Sequence, residues 1–281
     1  MSRQHCEMST SFWLTVLLVA STAANPISSP GNLDNVLDSA LEDVSSNIKR
    51  LFLPETPPAY ESSRCKVYPG DRNWPTDEAW AKLNQLTDNR LLSRPDPQAS
   101  ACYDGPLYNA TKCSEMTAVW GRSYSHFIDP IEMMSPVAQG MTCLPPNVFD
   151  SGNCTRGGFP MYVINATEPK HVQMGVNFAR NTGVRLVVRN TGHDFLGKSG
   201  GKDALSIWTH HFKSVEYIEK FVDKNLGYDG PAFKAGVGVQ AYEMYLAAHE
   251  KGHSVVGGEG ETVGIMGGYI QGGGHSPLTS L

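Results

Sequence analysis

Apolar positions recur at helical spacing early in the chain and at strand-like spacing late in it. Leu33, Val36, Leu37, Ala40, Leu41, Val44, Ile48 and Leu51 fall every three or four residues, which predicts an amphipathic helix ended by Pro54–Pro58. Thr76, followed by Asp77 and Glu78 and then by Trp80, Leu83 and Leu86, predicts a second helix with Thr76 as its N-cap. From Arg94 to Gly158 short apolar groups are broken by Pro, Gly and Cys, with one helical stretch near Ser114–Trp120. At Pro160 the texture changes. Met161–Ile164 predicts a strand, Pro169–Arg180 a helix with Val172, Val176 and Ala179 on one side, and Val184–Val188 a second strand, together a β-α-β unit. Ala204–Trp208, Val215–Phe221 and Ala232–Val239 predict further strands, and Gln240–Glu250 a helix.

The loop after the second strand of that unit, Arg189 to Gly201, carries the first candidate chemistry. Ligands collect at the carboxyl ends of parallel strands, and glycines there let successive backbone N–H groups converge on an anion. Gly192 and Gly197 supply that freedom, Asn190, Thr191 and Ser199 add side-chain donors, and Arg189 adds positive charge. His193 and Asp194 sit in the middle of the loop. Taken alone, the same residues also describe a glycine-rich surface turn.

A second glycine-rich segment runs from Val255 to His275 and contains Thr262, Gly264, Gly267, Gly268, Gly272, Gly273 and Gly274. Its interspersed Val, Ile, Met and Tyr argue against a flexible tail and for close backbone approach to a large flat or anionic ligand. Two other motifs carry less. Gly236–Ala241 matches G-x-G-x-x-A, but the preceding Tyr228–Lys234 is too short and polar for a buried first strand, so a strand-to-helix turn is expected. His249–His253 matches H-E-x-x-H, but Gly252 lies inside it and no third ligand is evident, so a solvated helix end is expected and no metal is assigned. His210-His211 is expected at the surface.

Arg3 precedes the apolar run Phe12–Ala20 and the small residues Ser21–Ala24, the pattern of a secretory signal peptide over residues 1–24. Secretion predicts disulfides: Cys102 with Cys113 and Cys143 with Cys154 are the expected local pairs, and Cys65 is the odd thiol left over, its partner expected outside this chain or lost. Sequons at Asn109, Asn153 and Asn165 mark expected surface and a glycoprotein. A formal net charge of −5 with scattered charges gives no reason to expect nucleic acid as a partner, and no stretch is long and apolar enough to suggest a membrane protein.

RNTGHDFLGKSGGKDALSIWTHHF, followed by GGEGETVGIMGGYIQGGGHSPL, resembles the PCMH-type FAD-binding domain of secreted flavoprotein oxidases related to vanillyl-alcohol oxidase and berberine bridge enzyme, especially their fungal members. The resemblance runs from about Pro160 to the last residue, and more loosely back to YPGDRNWPTDEAW. It implies an α+β fold in three parts: the leader, a disulfide-braced N-terminal Cys/Pro-rich extension over 25–158, and an FAD-binding domain over 159–281, incomplete at its C-terminus. It implies that the R-x-x-G-H loop holds the FAD pyrophosphate and that His193 bonds to the flavin 8α carbon. Relatives that make a second covalent link carry a cysteine where this chain has Gly260, which excludes that link at this position.

The expected function is therefore oxidase-type hydride transfer from a small organic substrate to covalently held FAD, in a secreted chain that is a truncated form of the family. The alternative is a catalytically silent remnant or interaction protein of the same fold. Neither a catalytic base, a substrate identity nor an oligomeric state is assigned by the residues.

Overall fold

The computed structural model describes residues 41–42, 44–54 and 65–278. The expected leader and Leu33–Ala40 of the first expected helix lie outside them. Within the rest of that helix the structure has a single turn, α1, Ser46–Lys49. Helix α2, Asp77–Leu86, begins as its sequence predicts, with Thr76 accepting a hydrogen bond from the Ala79 N–H at 3.3 Å. Its Trp80 and Leu83 are buried.

Four short strands form the central sheet: β1 (Leu91–Ser93), β2 (Tyr162–Asn165), β3 (Leu186–Arg189) and β4 (Leu205–Trp208). Helix α5, Pro169–Thr182, joins β2 to β3; it follows α3, Ala110–Val119, and α4, Ser123–Phe127, in the chain. The elements of the expected β-α-β unit are present, but its strands are not neighbours. The order is β1-β2-β4-β3, with β4 parallel to both β2 and β3 and β1 antiparallel to β2. All four residues of β4 are buried, as a central strand covered on both faces requires.

One face of this sheet packs under α2 and α5. Trp80 stacks on Tyr162 with ring centroids 3.8 Å apart, and Phe52, Leu83, Ile164, Met174, Phe178, Leu205 and Ile207 complete a core drawn from both the extension and the later chain. Asp88, after α2, bonds His171 at 2.8 Å and Lys170 at 2.7 Å, tying the first turn of α5 down. His171 also accepts from the Thr167 N–H through Nδ1, so both ring nitrogens are in use. On the other face Ile131, Phe159, Val163 and Trp208 pack together, bringing the extension against β2 and β4.

The antiparallel hairpin of β5 (Val215–Asp223) and β6 (Tyr228–Ala235) follows, then α6, Ala241–Glu250. A reciprocal cap between Gln240 and Glu243 starts α6. Gly238 is the turn between hairpin and helix, and a Cβ there would fall 2.1 Å from the His210 carbonyl oxygen. The helix ends before His253, whose Nε2 lies 2.9 Å from the Tyr217 hydroxyl, so the two histidines of H-E-x-x-H do not face one ion.

Both expected disulfides are present, Cys102–Cys113 and Cys143–Cys154, and they brace the region around α3. Cys65 is itself disulfide-bonded, which corrects the expectation that it finds no partner in this chain; no free cysteine occurs among the described residues. Asn109 and Asn153 are exposed, and Asn165 is half-buried. It belongs to β2, and its amide oxygen is buried without a partner. His210 is also corrected, being buried against Phe127 and Trp208. Among the described residues no helix is long and apolar enough to cross a membrane.

Candidate functional site

The loop after β3 is built from a strand end. Arg189 closes β3 and is fully buried, with its guanidinium turned away from the loop's mouth: Nε and Nη2 donate to the Glu132 carbonyl at 3.1 and 2.7 Å, and Nη2 also donates to the His126 carbonyl at 2.9 Å. Nε and Nη2 are thus committed to the backbone behind the loop, while Nη1 is buried without a partner among the described residues. Burial pulls the Arg189 pKa down to about 10, so it remains a cation at neutral pH.

The side-chain donors expected of the loop are also largely committed. Asn190 donates through Nδ2 to the Val237 carbonyl at 2.6 Å and to the Thr209 hydroxyl at 3.1 Å. Ser199 donates its hydroxyl to Asp194, whose carboxylate also accepts from the Lys198 N–H at 2.5 Å and the Ser199 N–H at 3.3 Å. Thr191 is buried. What the loop leaves available is its backbone: the N–H groups of Asn190, Thr191, Gly192, His193 and Asp194 donate to no acceptor among the described residues. Five consecutive donors at a strand's carboxyl end suit an anion better than the side chains would.

The structure brings the second glycine-rich segment to this loop. His193 Nε2 lies 2.7 Å from the Thr262 hydroxyl, joining two positions 69 residues apart. Asn190 packs so closely on Gly264 and Gly267 that a Cβ at either would fall within 2.6 Å of its amide. Ile265–Tyr269 forms a wide helical turn, continued by Ile270–Gly272. Gly268, Gly272 and Gly273 face open space, Gly274 packs on the Tyr269 ring, and His275 is exposed.

The His193 imidazole is half-buried, and burial holds its pKa below 6.5, with the nearby His126 lowering it further. It is accordingly neutral at neutral pH, the state in which a ring nitrogen has a lone pair to give. Next to the loop, outward, Phe195 and Leu196 are 84 % and 79 % exposed, a large apolar surface at the mouth.

Residues that the sequence did not single out lie behind the loop. His126 donates through Nε2 to the Trp120 carbonyl, 2.7 Å away, and its Nδ1 is buried without a partner. Tyr124, on the exposed side of α4, has its phenol pKa raised by partial desolvation and then by the neighbouring Glu261 carboxylate. Glu132 is buried, and burial together with the Asp129 charge pushes its pKa up to about 8. The folded chain therefore holds a proton that the unfolded chain releases above about pH 4.5; this contribution to stability is full below that value and is lost as pH rises through about 8. Glu132→Gln removes the titration, so its denaturation midpoint relative to the parent should rise between about pH 5 and about pH 8. A pH-independent difference would contradict the buried, protonated carboxyl. None of these residues belongs to a recognisable motif, because the burial that perturbs them comes from partners distant in the chain.

Comparison with known proteins agrees with the geometry. Residues 160–281 match the FAD binding domain family. The chain is 44 % identical over 222 residues to the VAO-type flavoprotein oxidase VAO615 of Thermothelomyces thermophilus, covering 78 % of this chain and 38 % of that protein. It is 40 % identical over 223 residues to the FAD-linked oxidoreductase patO of Aspergillus clavatus, covering 79 % and 38 %. The crystal structure of the VAO-type flavoprotein MtVAO615 from Myceliophthora thermophila superposes with a TM-score of 0.71 at 44 % identity, over 77 % of this chain and 39 % of that one. MtVAO713 from the same fungus gives 0.70 at 31 % identity, over 76 % and 39 %. The chain thus spans about two fifths of the length of the relatives it matches. With its α+β architecture and paired glycine-rich segments, the chain shares the PCMH-type fold of VAO-type FAD-linked oxidoreductases, and residues 160–281 match their FAD-binding domain.

Proposed function

We propose that this chain is the flavin-holding part of a secreted oxidase, that it binds FAD between the loop at 190–194 and the segment at 262–275, and that His193 bonds to the flavin. The observation that carries the reading is the run of five unengaged backbone N–H groups beside a neutral, half-buried imidazole. The N–H groups hold the pyrophosphate, which needs no net positive charge on the chain. Thr262 fixes the His193 ring by its hydrogen bond to Nε2, so the other ring nitrogen is the one presented to the cofactor. Glycines of the second segment let the backbone approach the ring system, and Gly260 offers no second covalent link. Bound FAD supplies a two-electron acceptor for hydride from a small organic substrate.

Secretion is part of the same reading, supported by the N-terminal leader pattern and by the two disulfides. Glycosylation is proposed at Asn109 and Asn153, which are exposed. The test is expression of the full chain with FAD, followed by absorption spectra before and after denaturation. Flavin absorbance that stays with the denatured parent chain and is released from His193→Ala is the expected outcome. A parent chain that folds without colour would overturn the proposal.

A further inference from the structure

Thr262, which meets the His193 ring, is itself held from the start of α6. Gln240, the N-cap of that helix, is buried, and its Nε2 donates to the Thr262 carbonyl at 2.7 Å. Its Oε1 accepts from the Lys213 ammonium at 3.0 Å, and that ammonium also pairs with the Glu243 carboxylate at 2.7 Å. Main-chain bonds run alongside: the Ala241 N–H donates to the Val263 carbonyl at 2.9 Å, the Tyr242 N–H to the Glu261 carbonyl at 2.9 Å and the Ile265 N–H to the Val239 carbonyl at 3.1 Å. The result is an unbroken line of hydrogen bonds from Lys213 through Gln240 and Thr262 to His193 Nε2. His193 Nδ1 has no hydrogen-bond partner among the described residues.

A buried primary amide must have both ends met, and Gln240 spends its accepting end on Lys213 and its donating end on Thr262. Threonine is β-branched and stiff at χ1, so fixing its main chain also fixes where its hydroxyl points. We infer that Gln240 is a positioning residue for flavin attachment: by holding the Thr262 carbonyl it sets the Thr262 hydroxyl to accept from His193 Nε2–H, which leaves the ring's lone pair on Nδ1. This inference rests on His193 as the attachment residue. Attachment forms a bond from Nδ1 to the 8α carbon and breaks one methyl C–H bond and the Nε2–H bond; the two protons and two electrons released reduce dioxygen to hydrogen peroxide. A ring proton on Nδ1 would block that bond. A ring turned off its direction would also slow it, since misplacement of about 1 Å costs on the order of 100-fold in rate.

The experiment has two parts, both on the full chain prepared without flavin. Nitrogen NMR of labelled histidine, with the His193 signals identified by their loss in His193→Ala, reads the tautomer directly; the parent is expected to carry its proton on Nε2, and a proton on Nδ1 would overturn the inference. FAD is then added aerobically, and covalent incorporation is followed beside the affinity for FAD before the bond forms. Parent chain that shows the expected tautomer yet acquires no covalent flavin refutes His193 as the anchor, and this inference with it. Gln240→Glu keeps an oxygen for Lys213 but sets an acceptor against the Thr262 carbonyl. It is expected to mix the two tautomers and to slow incorporation roughly 10- to 100-fold, while initial FAD affinity changes by less than about threefold. The parent's tautomer and rate in this variant would overturn the positioning role and leave the anchor standing. A fall in affinity together with rate would reduce Gln240 to a structural part and would equally overturn it. Should Gln240→Glu not fold, Gln240→Asn takes its place with the same expectations, because asparagine is a strong N-cap whose amide is one methylene short of Thr262.

Discussion

Phe178→Ala is expected to destabilise the chain by about 3–5 kcal/mol, the range for emptying a fully buried aromatic site. Phe178 has no exposed surface and lies on the inner face of α5, where its ring centroid stands 5.6 Å from that of Phe52 and 4.8 Å from that of Trp80. Phe178 and its two partners come from three separate stretches, so the cavity would open where the segment after α1 meets α2 and α5, and no single helix could close it by shifting. The same helix supplies the control. Val176 is 41 % exposed, and Val176→Ala should change stability by no more than about 0.5 kcal/mol. Denaturant melts of the three proteins give the comparison; a loss below about 1 kcal/mol at Phe178 would mean that the two aromatic neighbours do not form one packed unit.

Gly264→Ala should weaken FAD binding by about 1–3 kcal/mol, roughly 5- to 150-fold, through overpacking between the two glycine-rich segments. Its Cβ would sit 2.2 Å from Asn190 Oδ1. Asn190 cannot yield cheaply, because its amide nitrogen is held by the Val237 carbonyl and the Thr209 hydroxyl. The second segment would have to move off the loop instead, taking Thr262 away from His193. Gly121, with open space around its Cβ position and an exposed place between α3 and α4, provides the comparison. FAD titration should show Gly121→Ala binding like the parent; equal affinities for Gly264→Ala and the parent would remove the segment contact from the account.

Much of the fold was legible because the elements that bury one face repeat their apolar residues at the corresponding period. The cap at Thr76, the helix at Pro169–Thr182 and the strands at Tyr162 and Leu205 follow from such patterns, although the buried side of that helix is set by Met174, Phe178 and Ala179 and leaves Val176 exposed. Strand order did not, since neighbouring strands in sequence need not pair; the unbroken burial of Leu205–Trp208 was the available sign that this strand lies in the middle. The sequon at Asn165 shows the same limit. A three-residue motif carries no information about the sheet around it, although the flanking Val163, Ile164 and Ala166, all fully buried, did.

For the site, the glycines and His193 were read from local spacing, and the structure adds the contact to Thr262 that unites the two segments. The local sequence showed a cation beside a glycine loop but not that its Nε and Nη2 bond the Glu132 and His126 carbonyls. Long-range burial of this kind has no local signature. The same holds for the residues behind the loop, which the Pro- and Cys-rich texture of residues 94–158 concealed.

The most direct test of the central claim is the mass of one peptide. Trypsin cleaves after Arg189 and Lys198, releasing Asn190–Lys198, in which His193 is the single imidazole. The account predicts that this peptide, from chain expressed with FAD, carries the mass of a bound flavin and that fragmentation places it on His193. Recovery of the peptide wholly unmodified, from folded chain that has bound FAD, would contradict it.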